Sequence, residues 1–195
     1  VGDGWGLRIG LSATPWRNDG RDLEVIAWVG PIVEPKISSS YLIEHGYAVP
    51  VDIELVQVQT RELCREIKRL ELSEERSGQH YMRIRKAVAE CEERNKAIAK
   101  LVMQVPKPVL VLTSLVKHAN TPLRSLVLTL GGKSRTRTLQ RIGRLVRPFQ
   151  GKDRAVAYDL VDQVIYFYEQ AQIRKELYET EPMWRIREVP IQALT

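Results

Sequence analysis

Between Arg94 and Lys152 the sequence holds neither aspartate nor glutamate. Thirteen lysines and arginines fall in that stretch, so of the formal net charge of +6 the rest of the chain carries 6 − 13 = −7. The block also contains apolar runs, which excludes a disordered charged tail. It reads as a folded unit with a basic face, and polyanions such as nucleic acid or nucleotide phosphates are its natural partners. Cysteine is nearly absent: Cys64 and Cys91 stand alone, outside any CxxC. That fits a reducing compartment, cytoplasmic or (in a eukaryote) nuclear, and a structural role for both thiols. His45, His80 and His118 are scattered without ligand spacing, so no metal site is expected. Long apolar runs are missing too. Val109-Leu110-Val111-Leu112 is typical of the longest and is far too short to span a bilayer, so no membrane partner is expected. Val1-Gly2-Asp3-Gly4 leads into sequence that reads as folded, with no signal-peptide pattern.

What remains is ordinary for a globular protein. The 195 residues are 44% hydrophobic and 28% charged, enough for one large domain or two small ones. Leu7 to Ser12 alternates apolar with polar or small residues and predicts a strand, followed by a loop closed at Pro15. Asp22 to Val29 predicts a short helix. Ser38-Ser39-Ser40 is read as the cap of another, running through Glu44 and ending at Gly46. Val51 to Gln59 predicts a strand with one exposed face, because Asp52 and Glu54 alternate with Val51, Ile53 and Leu55.

From Thr60 to Gln104 there is no proline and one glycine, Gly78. Leu63, Ile67 and Leu70 form one helical stripe. Ile84, Val88, Cys91, Asn95, Ile98 and Val102 form a second, predicting one long helix. Asn95 is its polar exception, either at the stripe's edge or fixing register against a partner. Ser77-Gly78 marks the turn between the helices. After Pro106-Lys107-Pro108, strands at 109–113, 126–130, 155–160 and 186–191 alternate with helices at 136–146 and 164–178. That order predicts an α/β fold with a parallel sheet.

The basic block ends in Gln140-Arg141-Ile142-Gly143-Arg144-Leu145-Val146-Arg147. Arg144 and Arg147 lie one helical turn apart and can reach one spot. Two planar guanidinium forks aimed together suit phosphate oxygens, with a solvated basic helix face as the alternative.

This segment resembles motif VI of superfamily 2 helicases, in which a Gln or His opens the pattern and a Gly-Arg pair precedes a further arginine. Upstream, Gly10-Leu11-Ser12-Ala13-Thr14-Pro15 resembles their Ser-Ala-Thr segment, motif III. The longer strings Ser12 to Arg17 and Gln140 to Pro148 look most like the XPB-like branch of DNA/RNA helicases and related restriction-enzyme motors.

The resemblance implies RecA-like parallel-sheet domains with ATP and Mg2+ between them and DNA or RNA across both. Residues 1–59 would be the C-terminal part of the first domain, 60–105 a helical linker, and 106–195 the second domain. Arg147 would be the arginine finger on the γ-phosphate, with Arg144 and Gly143 beside it, and Gln140 would orient the site or the attacking water. Ser12, Ala13 and Thr14 would couple nucleotide state to the nucleic-acid track, although hydroxyls at a strand end also serve local backbone groups. Arg17, Lys133, Arg135 and Arg137 would touch the nucleic-acid backbone, an inert surface loop being the alternative for the last three. Arg141 has no assigned role.

Gly132-Lys133-Ser134 mimics the end of a P-loop, but Val127 stands where its first glycine is required. Neither a Walker A loop nor an Asp-Glu box occurs in the chain, so the main Mg-ATP ligands are expected before residue 1. The family carries a longer segment between motifs IV and VI than lies between Thr113 and Leu126. A deletion, or a segment omitted, is expected at 120/121. Two other readings stay open: a nucleic-acid-binding module without ATPase activity, and the motor of a restriction enzyme.

Overall fold

The computed structural model describes residues 9–10, 12, 21–33, 37–72, 78–113, 123–129 and 132–194. Its described elements are α1 (Asp22–Val29), α2 (Ser39–Glu44), β1 (Val51–Val58), α3 (Arg61–Leu72), α4 (Gly78–Glu90), α5 (Glu92–Gln104), β2 (Val109–Leu112), β3 (Ser125–Leu128), α6 (Arg135–Leu145), β4 (Ala155–Asp162), α7 (Phe167–Glu179) and β5 (Arg185–Pro190). The five strands form one all-parallel sheet in the order β2-β3-β4-β1-β5. This is the expected α/β class, compatible with a RecA-like sheet.

Alternation along each strand divides the core into two layers. Ile53, Leu55, Leu126, Leu128 and Ala157 meet Ile142 and Leu145 of α6 and Ala171 and Tyr178 of α7. On the other face Val56, Val58, Val127 and Leu160 meet Ile98 and Leu101 of α5. A third cluster joins Leu63 and Ile67 of α3 to Ile84 and Val88 of α4 and Phe167 of α7.

Three expectations change. β1 has no exposed face, because it lies between β4 and β5 and is covered on both sides. Its acidic residues are hidden by cross-strand ion pairs: Arg154 Nη1 donates to Asp52 Oδ1 at 2.6 Å, and Arg187 Nη2 donates to Glu54 Oε1. α5 packs on the same sheet.

The long helix is two helices, broken at Cys91, whose extended backbone (φ −61°, ψ 110°) begins α5. The two helices meeting there, α3 and α5, cap each other's first turns. Glu93 N donates to Glu62 Oε2 at 3.0 Å, and Glu62 N donates to Glu93 Oε2 at 3.2 Å. The hydrogen bond from the Glu93 N–H, with the one from the Cys91 thiol, holds the Glu62 carboxyl below its usual range.

The break also shifts the phase of the buried stripe. Asn95 is exposed and its amide donates to Ala89 O at 2.9 Å. The inward position belongs to Arg94, which is 2% exposed. Arg94 Nε donates to Asp162 Oδ1 at 2.6 Å and Nη2 to Asp162 Oδ2 at 2.9 Å. Nη2 also donates to Thr129 O. One guanidinium thus ties α5 to the C-terminal end of β4 and to the residue that follows β3.

The strand predicted over 7–12 falls mostly outside the described residues. Ile9, Gly10 and Ser12 lie in no regular element. β2 and β3 are parallel neighbours joined by residues 113–124, close to the minimum for a crossover. The 120/121 junction lies outside the described residues.

Candidate functional site

The basic segment forms α6, and its local chemistry sets where that helix starts and stops. Ser134 is the N-cap, its Oγ accepting from Arg137 N at 3.4 Å. Thr138 Oγ1 donates to Ser134 O at 3.0 Å. Thr138, Ile142 and Leu145 are buried and orient the helix on the sheet. Gly132-Lys133-Ser134 is therefore a helix start: its serine hydroxyl caps α6, and Gly132 and Lys133 are exposed.

At the other end Val49 N donates to Val146 O at 3.0 Å. The Lys152 ammonium donates to Leu145 O, and to Arg147 O at 3.0 Å. A cation on the last carbonyls of a helix is favourable. Lys152 is only 5% exposed. Burial, with Arg124 nearby, pushes its ammonium down to about 8. Both cations flank the Phe149 ring, Arg124 at 5.1 Å and Lys152 at 5.2 Å from its centroid. The chain leaving α6 is thus anchored just beyond Arg147.

With the buried face fixed, the remaining positions follow from helical periodicity. Gln140, Gly143 and Arg147 are exposed, while Arg144 is half-buried. Arg144 stands in the last turn of α6, whereas Arg147 lies beyond the C-cap Val146 and outside the helix, so helical spacing does not relate the two. Gly143 is the informative residue of this face. A β-carbon there would meet no heavy atom within 4 Å. A mid-helix glycine costs about 1 kcal/mol relative to alanine, and no packing among the described residues requires it. The bare backbone at 143 leaves room beside Arg144.

Lys133, Arg135 and Arg137 are exposed at the N-terminal end of α6. Ser12 is exposed. Ala13, Thr14 and Arg17 lie outside the described residues.

Beneath α6 lies a network that the sequence did not announce. Asp159 of β4 is fully buried. It accepts from Arg174 Nε at 2.7 Å, Arg174 Nη2 at 2.8 Å and the Tyr178 hydroxyl at 2.8 Å. Arg174 Nη1 donates to Gly132 O at 3.3 Å. Burial disfavours the Arg174 charge, but Asp159 more than offsets this and holds the guanidinium above its usual value. Burial and the Asp159 charge push the Tyr178 hydroxyl well up. The available sequence signal was a lone aspartate inside the apolar run 155–161. A charge at the centre of a parallel strand needs a partner, but nothing local names Arg174.

No family model matches the chain. The chain is 27% identical over 231 positions to "Putative helicase 22" of Sulfolobus islandicus filamentous virus (isolate Iceland/Hveragerdi). That alignment takes in 90% of this chain and 41% of the viral protein, so the chain spans about two fifths of that protein's length. The alignment is longer than the chain itself, 231 positions against 195. Some viral residues inside the matched span therefore face gaps in this chain. No helix among the described residues is long and apolar enough to cross a membrane.

Proposed function

We propose that this chain is part of an ATP-dependent superfamily 2 helicase or translocase that couples ATP hydrolysis to movement on, or remodelling of, DNA or RNA. The carrying observation is the end of α6: Gln140 on the helix and Arg147 just past its C-cap are both exposed, and between them stands a glycine that packing among the described residues does not require. The distant likeness to a viral protein described as a helicase points the same way.

In this reading Arg147 is the arginine finger, and Arg144 beside Gly143 is the second contact to the γ-phosphate. Gln140 orients the attacking water. Charge developing on the phosphoryl oxygens is neutralised by the two guanidiniums, which can be worth about 10³-fold or more in rate. ATP and Mg2+ bring the phosphoryl chemistry, and the residues of this chain fit the phosphate end of the nucleotide alone. The P-loop lysine and the magnesium carboxylates belong to sequence outside it. Ser12, Ala13 and Thr14 form the coupling segment. Arg17, Lys133, Arg135 and Arg137 contact the nucleic-acid backbone. The sheet from β1 to β5 is the second RecA-like domain, and what precedes β1 belongs to the first. A family segment is absent between β2 and β3, in keeping with a matched span longer than the chain.

The test is made on the full-length protein. Arg147→Ala should abolish nucleic-acid-stimulated ATP hydrolysis while ATP binding is largely kept. Normal turnover in that variant would overturn the finger assignment.

A further inference from the structure

Arg141 is the member of the arginine segment that the reading above leaves idle, and its surroundings are unusual. It is half-buried on the flank of α6 that faces Arg174 and Tyr178 of α7. The one acidic group there, Asp159, is already taken by three donors from those two residues. Among the described residues Arg141 makes no hydrogen bond and no ion pair. Burial disfavours its charge first, and Arg174 and Arg137 repel it as well, with only partial relief from Asp159 and Tyr178. A guanidinium held in this way has donors to spare and no anion to receive them.

Position along the helix adds a second fact. Arg137 and Arg141 stand at i and i+4, so they form a row along one flank. Successive members lie about one helical turn apart, roughly 5–6 Å between β-carbons. Arg144 and Arg147 can converge on one group, whereas a row meets a series of groups.

We propose that Arg141 and Arg137, one turn apart on the α7 side of α6, form a phosphate-binding row that takes successive phosphates of a nucleic-acid strand. The network of Asp159, Arg174 and Tyr178 is its floor: it neutralises Arg174 and leaves Arg141 uncompensated for an external oxyanion. The shared chemistry is the phosphate oxygen, and the source favoured by the spacing is the phosphodiester backbone rather than a single nucleotide. The row stands whether or not the whole protein hydrolyses ATP.

The experiment uses the 195-residue chain with no nucleotide and no magnesium. Binding of fluorescein-labelled 20-mer oligothymidylate and oligouridylate is followed by anisotropy across a sodium chloride series. Arg141→Gln should weaken binding about tenfold at low salt, the loss expected for a charge-assisted hydrogen bond. It should also reduce the salt slope by about 0.7, the value for one phosphate of a single strand. Arg141→Lys, which keeps the charge but not the fork, should fall between. Lys100→Gln on α5, an exposed lysine of another element, should change little.

The thermal midpoint of Arg141→Gln should equal or exceed that of the parent, since an uncompensated half-buried charge has been removed. An unchanged salt slope in Arg141→Gln, or a parent chain that binds neither oligomer, overturns the proposal. So does a lowered midpoint, which would make the role structural. In a second arm ATP is added as competitor, and an Arg141→Gln variant that keeps its oligomer affinity but loses displacement by ATP overturns the row in favour of a nucleotide subsite. No arm measures hydrolysis, so failure here is separable from failure of the finger assignment.

Discussion

Replacing Arg94 by methionine isolates the guanidinium that joins α5 to the sheet, because methionine keeps an unbranched apolar stem of similar reach. The variant loses three donors at once, two to Asp162 and one to Thr129 O. It leaves the Asp162 carboxylate 2% exposed with no cation against it. Breaking a buried pair from one side costs about 3–5 kcal/mol. Against a total of about 5–15 kcal/mol for a domain this is a large share. For a chain of this size it lowers the thermal midpoint by about 10 °C.

The pH dependence gives a second reading. Burial raises the Asp162 carboxyl above its ordinary value, and Arg94 holds that rise back. A raised folded-state pKa means that the folded protein binds the proton more tightly than the unfolded chain. Stability therefore falls as pH rises from the unfolded value through the folded one. Removing Arg94 extends that window upward. The deficit of Arg94→Met should thus be smaller at pH 5 than at pH 8, as measured by urea denaturation at both. Asp162→Asn should also destabilise, and the double variant should cost clearly less than the two singles added. Additivity within about 0.5 kcal/mol, or a deficit that does not shrink on acidification, would refute the argument.

Gly143→Ala should stabilise the folded chain by about 1 kcal/mol in chemical denaturation, because α6 gains helix propensity and the new methyl meets open space. In the full-length protein the same change should lower nucleic-acid-stimulated ATP hydrolysis; full activity would show that nothing approaches the bare backbone. Lys152→Met tests the other end of α6 by pH. The Lys152 amine is held at about 8, so between there and the unfolded value the unfolded chain binds the extra proton and stability rises with pH. The parent should gain on the variant from pH 7.5 to pH 10 in urea melts, and parallel profiles would contradict the burial of its charge. Neutralising Lys133, Arg135 and Arg137 together should weaken oligonucleotide binding and flatten its salt dependence, whereas an unchanged slope would leave them as surface charge.

The parts of this fold that were legible in the sequence are those set by neighbours in the chain. α6 was expected over 136–146 and runs over 135–145, because the helical spacing of its inward residues is a local signal. The cap among Ser38-Ser39-Ser40 and the strands expected over 109–113 and 155–160, which run over 109–112 and 155–162, were read for the same reason. What failed was long-range. Asp52 and Glu54 were read as an exposed face, since their cations, Arg154 and Arg187, stand 102 and 133 residues away. Asn95 was placed in the stripe in place of Arg94 because one helix phase was carried across the break at Cys91. The outward residues of the candidate site were nameable from pattern alone. The Asp159–Arg174–Tyr178 floor was not, because the partners of a buried charge are set by tertiary packing that periodicity does not encode.

The place of β1 in the sheet has a consequence for how the chain reaches its native state. Val51 registers with Ala155, a separation of 104 residues, and Asp52 registers with Arg185 on the other side. Neither edge of β1 can be paired until almost the whole chain is available. Closing loops of that size before any sheet contact rewards them makes folding slow. During synthesis the strand Val51–Val58 emerges early and waits, apolar and unpaired, for β4 and β5. The contacts able to form in that interval are those of α3 with α4 and those of Ile98 and Leu101 of α5 with Val56 and Val58. Their early assembly beside the waiting strand would place a chaperone-like cover on it until its neighbours arrive.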